Sequence, residues 1–439
     1  MWILCFTVIF ALPISLICET YIEVGDNLFR LPIVISYIGP VECGTIDCDD
    51  EDGFYSIGAI ELAKKYINNR KDLHYFHNLN ITLYNTLNNA KRPVQMTVDA
   101  VNDPSSIGII GFMEMCTNEA AIAGVYNKIG IAHSCSSDIA TKDGFSRSFI
   151  QLSPSPKVIG QSTVALLYHY NWSHVSLLSP VNEITSFYQR ARDYLIYQLQ
   201  SNNISIIEDQ RIQINRLSST ASYADQFTSL LSHSRIIIVL DPTANCFVLR
   251  QLLYSKYETL LDGEHAIVGI ISSEKNGAWM ATSNSESKLC PPAFHEDGGA
   301  NLTQSQLHAL YQNLLVISDS APPEWSDTNW RYFRDKISAI RHHLPCPPYC
   351  LLSRLVPKAN YHWARTARLY DSLILLAEAG REALDSGIDI RYGTQYYEYL
   401  ISRHYKSITG EEEYLNGDGL LVGTLQVHYC TCYLLCSCK

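Results

Sequence analysis

Residues Ile109 to Ser137 read IIGFMEMCTNEAAIAGVYNKIGIAHSCSS, and this stretch decides the fold class. Ile107 to Ile110 is a short β-branched run that stops at Gly111, the pattern of a strand covered on both faces. Glu119 to Tyr126 is expected to be helical, and Ile129 to His133 is a second apolar strand. Ser134 to Ser137 is a short polar loop. A buried strand, a helix and another buried strand form a crossover unit, which places both strands parallel in one sheet.

The same rhythm runs outward in both directions. Upstream, Leu31 to Ile38 (LPIVISYI) is a strand, Asn80 to Tyr84 another, and Val94 to Val101 a helix. Phe54, Ile57, Ile60, Leu62, Ala63 and Ile67 mark an amphipathic helix with Asp52 as its expected N-cap. Downstream, Gln151 to Pro156 reads as a connector. Strands at Val175–Leu178, Ile204–Gln210, Ile236–Leu240 and Ala266–Ile271 then alternate with helices. Two such series in one chain predict an α/β protein of two lobes, each a mostly parallel sheet with helices on both faces. From Asn276 to Pro357 the chain is rich in Pro, Ser and Asn, with a helix near Trp330 to Arg341. Tyr361 to Leu384 reads as a long amphipathic helix, and no internal repeat is visible.

The totals narrow the function. With 439 residues, two lobes are the natural expectation. A net charge of -11 and no basic run argue against nucleic acid as a partner. Trp2 to Leu12 is an apolar run broken by Pro13, the pattern of a signal peptide over residues 1–18. Fourteen cysteines less Cys5 and Cys18 leave twelve, an even number that suits disulfides in an exported chain. Sequons at Asn80, Asn171, Asn203 and Asn301 point the same way. The late apolar run Tyr429 to Cys438 is far short of the ~20 residues a membrane helix needs. The expected location is secreted, or on the extracellular face of the plasma membrane through a segment beyond this chain.

Catalytic signatures are missing: no G-x-x-x-x-G-K-[ST], no H-E-x-x-H and no G-x-S-x-G. The expectation is therefore a binding protein without a catalytic residue, and not an enzyme. A glycosidase reading would have to rest on carboxylates such as Glu114 and Glu183. The acidic run Asp47 to Gly53 misses the calcium-loop spacing by one residue. His342, His343, Cys346 and Cys350 read better as a stiff, disulfide-bearing loop than as zinc ligands, so no metal site is assigned. Cys43 and Cys48 could close a small loop, and Cys116 and Cys135 both follow strands of the first sheet; pairing stays open. In open α/β sheets ligands sit beyond the carboxyl ends of the strands. By that rule the candidate ligand contacts are Cys116, Thr117, Ser134, Ser136 and Ser137 in the first lobe and Asn182 and Glu183 in the second.

Three stretches resemble the extracellular ligand-binding region of receptor guanylate cyclases and natriuretic peptide receptors, within the type I periplasmic-binding-protein superfamily. They are Ile109 to Lys142, Phe149 to Leu178 with its Asn171-Trp172 pair, and Tyr370 to Gly393 followed by Ile408-Thr409-Gly410 and Asn416-Gly417-Asp418. The resemblance implies two lobes joined by three crossovers, a cleft between them, a homodimer, and an extracellular peptide or small-molecule ligand. The alternative is an amino-acid or neurotransmitter receptor domain of the same superfamily, with Ser134, Ser136 and Ser137 holding a carboxylate, or a secreted decoy or carrier. It places the ligand-binding region over 28–427, with lobe one at about 28–150 and 276–384 and lobe two at 151–275 and 385–427. A Cys-rich tail, 428–439, lies outside the likeness. A chloride site is implied at Thr86 and Cys116, with no other cofactor. The family commonly has Gly-Pro and then Cys after this strand, whereas Gly111 is followed here by Phe112-Met113-Glu114-Met115 before Cys116. A family cysteine is missing near Ser186, which leaves Cys246 to another partner.

Overall fold

The computed structural model describes residues 33–41, 51–86, 91–114, 116–135, 147–153, 155–181, 186–213, 224–241, 248–249, 252–253, 256–271, 279–281, 287–289, 313–318, 328–343, 363–410, 412–421, 426–433 and 435–438. The signal peptide, the acidic run at Asp47 to Asp50 and the Cys346–Cys350 loop lie outside them.

The chain first lays down β1 (Val34–Gly39), α1 (Glu51–Asn69), β2 (Asn80–Asn85), α2 (Arg92–Val101), β3 (Ser106–Glu114), α3 (Thr117–Val125), β4 (Ile129–Cys135) and β5 (Phe149–Gln151). The five strands form one parallel sheet in the order β2-β1-β3-β4-β5. Neighbouring strand residues split between the two faces. Ile35 and Tyr37 join the core under α1, while Ile38 joins the one under α2 and α3. With both faces covered, the β-branched runs are continuous instead of alternating with polar residues. Each such side chain, taken fully out of water, contributes about 1.5–3 kcal/mol. Because α1 begins at Glu51, Asp52 belongs to its first turn and is not the expected cap.

The chain then crosses to a second sheet through α4 (Pro156–His169), β6 (His174–Pro180), α5 (Ser186–Ser201), β7 (Ser205–Ile212), α6 (Ala224–His233), β8 (Ile236–Leu240) and β9 (Ala266–Ile271). The start of α4 follows capping rules: Ser155 accepts the amide of Val158 at 3.3 Å, and Pro156 opens the helix. In β8, Ile237 and Val239 pack on one face and Ile236, Ile238 and Leu240 on the other. A hairpin, β10 (Trp279–Ala281) with β11 (Ser287–Leu289), precedes β12 (Leu314–Ser318), which lies parallel to β9.

A second crossing returns the chain to the first lobe as α7 (Thr328–His343), α8 (Trp363–Asp385), α9 (Gly393–Tyr397) and the hairpin β13 (Arg403–Lys406) with β14 (Glu412–Leu415). A third brings back β15 (Gln426–Tyr433), antiparallel to β12, and β16 (Leu435–Cys438). The second sheet therefore reads β16-β15-β12-β9-β8-β6-β7. Its parallel part repeats the order of the first sheet, although no sequence repeat is visible.

Three crossings agree with the resemblance, but the lobe boundaries differ from the expected ones. Residues 314–318, expected in lobe one, form β12 at the centre of the second sheet, between β9 and β15. Residues 385–421, expected in lobe two, pack on the first: Ile390, Tyr396, Tyr397, Leu400, Leu415 and Leu421 share the core of β1 and α1. Gln151 is bracketed there by hydrogen bonds, its amide to Gly419 O at 2.8 Å and its carbonyl from the Leu421 amide at 2.9 Å. The expected connector at Gln151 thus begins inside β5.

Candidate ligand-binding site

In a sheet ordered 2-1-3-4-5, the connections after strands 1 and 3 leave in opposite directions and open a crevice at the carboxyl edge. In the first lobe that edge is made by Gly39 to Val41, Thr86, Gly111 to Glu114, Ser134 and Cys135, and Gln151 to Ser153. β3 enters it through an unusual turn. Gly111 (φ 118) and Phe112 (φ 59) are both left-handed, and the pairing with β4 skips Phe112. The kink buries the Phe112 ring to 1% exposure beside Phe149, with centroids 5.3 Å apart. The kink falls where the resembling family has Gly-Pro.

His133 on β4 closes the kink. Its Nδ1 lies 2.8 Å from the carbonyl oxygen of Gly111. Burial drives its pKa down to about 3; the hydrogen bond to Gly111 works against this, and the positive charges of Arg365 and Arg368 add to it. Both arginines are buried, on the first turns of α8. Sequence reading missed them: their only signal is a pair of cations spaced i,i+3 at the start of a long amphipathic helix.

One step along β4, Ser134 is fully buried and its Oγ has no hydrogen-bond partner among the described residues. Cys135 follows, and its carbonyl accepts the hydroxyl of Ser153. Cys116 and Cys135 are disulfide-bonded, with Cα atoms 5.7 Å apart. The bridge resolves the open pairing and ties the start of α3 to the end of β4. It leaves no thiol at Cys116 to meet a ligand; both half-cystines are wholly buried. Thr117 is partly exposed at the first position of α3. Two residues on, Glu119 is buried to 5% exposure, its Oε2 has no hydrogen-bond partner among the described residues, and burial raises its pKa.

Thr86 is buried at the end of β2, and its amide donates to Gly39 O at 3.0 Å. Since β1 lies between β2 and β3, Thr86 and Cys116 sit at the same sheet edge on either side of β1. Ser136, Ser137, Asn182, Glu183 and Asn301 lie outside the described residues. Glu114 ends β3, Asn80 is exposed at the start of β2, and Asn171 and Asn203 are exposed after α4 and α5. Among the described residues no group of three or more His, Cys, Asp or Glu is arranged to hold a metal, and no helix is long and apolar enough to cross a membrane.

The profile of the family described as receptor family ligand binding region (the ANF-receptor family) matches residues 57–334. Among solved structures, similar folds include a substrate-binding protein of an ABC transporter from Desulfitobacterium hafniense in complex with Leu. It is 14% identical at a TM-score of 0.56, with 93% of this chain and 99% of that one covered. A putative branched-chain amino acid ABC transporter protein from Rhodospirillum rubrum is 11% identical at 0.62, covering 91% and 97%. A leucine-binding protein from Thermotoga maritima is 12% identical at 0.54, covering 93% and 97%. At these identities the likeness concerns the fold, that of two-lobed type I periplasmic binding proteins.

Proposed function

The chain belongs to the receptor family ligand binding region, and from that premise we propose that it is the extracellular sensing domain of a receptor of the guanylate cyclase-like, natriuretic peptide receptor kind. Its role is binding and not catalysis. The supporting observation is the threefold crossing of the chain between two sheets of matching strand order. A ligand held at both carboxyl edges would close one lobe on the other, and a homodimer would carry that shift onward. Export fits the leader-like N-terminus and the exposed sequons at Asn80, Asn171 and Asn203.

A second reading, a free amino acid as ligand, is favoured by Ser134. A buried hydroxyl with no partner costs about 1–3 kcal/mol unless something meets it. A carboxylate at this edge would do so, with Arg365 and Arg368 nearby in charge terms. Thermal unfolding distinguishes the two readings, because a ligand of the folded state raises Tm with its concentration. A natriuretic-type cyclic peptide that raises Tm supports the peptide receptor. A response to leucine or glutamate that S134A abolishes supports the amino-acid reading. No response to either class removes both. The chloride proposal at Thr86 and Cys116 is tested the same way: exchanging chloride for gluconate at constant ionic strength should lower Tm, and T86V should erase the difference.

A further inference from the structure

At the opposite end of the second sheet, where β6, β8, β9 and β12 begin, lies a groove of about 600 Å³. One wall is Tyr170 to His174; Arg235, Glu264, His265 and Asn313 supply polar groups around it. This is the amino edge of the strands, so the groove is separate from the ligand site described above. Asn171, the acceptor of the sequon Asn171-Trp172-Ser173, stands in that wall and is exposed.

The backbone holds Asn171 there. α4 ends in a Schellman motif: the Trp172 amide donates to Leu167 O at 2.8 Å and the Asn171 amide to Tyr168 O at 3.0 Å. The motif requires a left-handed residue, and Asn171 has φ 56. On either side of it the rings of Tyr170 and Trp172 stack on each other, centroids 4.7 Å apart at 21°. Tyr170 is 44% exposed. Deeper in, the Nε2 of His265 lies 3.0 Å from Leu231 O, and its Nδ1 faces the Asp262 carboxylate at 3.9 Å.

We propose that this groove is the seat of the chain's own N-linked glycan at Asn171, its inner sugars lying on the Tyr170–Trp172 pair. The C–H face of a pyranose matches the exposed ring of Tyr170, which lies on Trp172, and its hydroxyl and acetamido groups match Arg235, Glu264 and Asn313. In the attachment step the Asn171 Nδ2 forms a bond to the anomeric carbon of a lipid-diphosphate-linked oligosaccharide. The bond from that carbon to the diphosphate breaks, the lipid diphosphate leaves, and the amide loses one proton. The proposal rests on the extracellular reading above.

The test is secretion of the whole chain from a glycosylating host, then glycopeptide mass mapping and hydroxyl-radical footprinting. Substitution of Asn171 would disturb the left-handed cap, so S173A removes the sequon and S173T retains it. The expected result is a glycan on Asn171 in wild type and S173T, with loss of radical labelling at Tyr170 and Trp172 relative to S173A. An unmodified Asn171 beside a glycosylated Asn80, Asn203 or Asn301 overturns the proposal alone. So does a glycan on Asn171 that leaves the labelling unchanged. No glycan at any of the four sequons, Asn301 included, overturns the extracellular reading with it.

Discussion

The Nδ1 of His133 lies 2.8 Å from the carbonyl oxygen of Gly111, joining β4 to the kink at which β3 leaves the sheet. A carbonyl can only accept, so Nδ1 carries the proton in either charge state, and burial, not this bond, keeps the ring neutral. With the folded pKa held near 3 and the unfolded value near ~6.5, the unfolded state alone takes up this proton between the two.

Stability from His133 is therefore complete above about pH 6.5 and is lost progressively as pH falls toward 3, by up to ~1.4 kcal/mol per pH unit. H133N keeps a donor near the Nδ1 position and does not titrate. Denaturant unfolding at pH 7 and pH 4.5 should show wild type losing more stability than H133N. Equal losses would mean that His133 is not the titrating group.

Asp371 on α8 has the opposite dependence. Its carboxyl receives the Ser407 hydroxyl at 2.6 Å and the Ile408 amide at 3.0 Å. Burial first, and the Glu413 charge second, push its pKa up to about 8. The folded state then keeps a proton that the unfolded carboxyl gives up near ~3.9, so this group's contribution is lost as pH rises from there through 8. D371N should flatten that decline. The check is the stability difference between variant and wild type at pH 5 and pH 8, which should move in favour of D371N as pH rises.

Cys116 and Cys135 close a loop with a sequence separation of 19. Loop-closure entropy predicts that C116A/C135A loses about 3 kcal/mol, read as a lower denaturation midpoint with an m-value at or above that of wild type, since the uncrosslinked unfolded chain is the less compact one. A midpoint for C116A/C135A equal to that of wild type would mean that this bridge does not constrain the unfolded chain.

Gly111 and Gly263 both have positive φ, yet substitution should separate them. A Cβ at Gly111 would be driven into the carbonyl oxygen of Ile38, whereas nothing lies within 4 Å at Gly263. G263A should cost only the left-handed penalty, about 1–2 kcal/mol. G111A should cost clearly more and move the His133 imidazole resonances in an NMR spectrum. Similar midpoints for the two variants would mean that the kink relaxes freely.

Several features were legible in the residues themselves. Ile236 to Leu240 could only be a strand covered on both faces, and every strand from Leu31 to Ile271 called from β-branched runs is present. Local patterns carry that information because burial on one or two faces sets the apolar period. Asn127, Asn171 and Asn203 are all left-handed residues just beyond helix ends, a role that asparagine fills for steric reasons within its own turn. For Asn171 and Asn203 a sequon and a helix stop are thus the same residue.

What only the tertiary structure decided is which distant segments meet. Nothing local in Leu314 to Ser318 says that it lies between β9 and β15, and nothing near Tyr396 says that it fills the core under β1. The Cys116–Cys135 pairing and the approach of Arg365 and Arg368 to His133 are of the same kind. A strand's own pattern records how much of it is covered; the neighbour that covers it is chosen by the packing of the whole chain, since many apolar faces are equally acceptable until shape and crossover connections admit one arrangement.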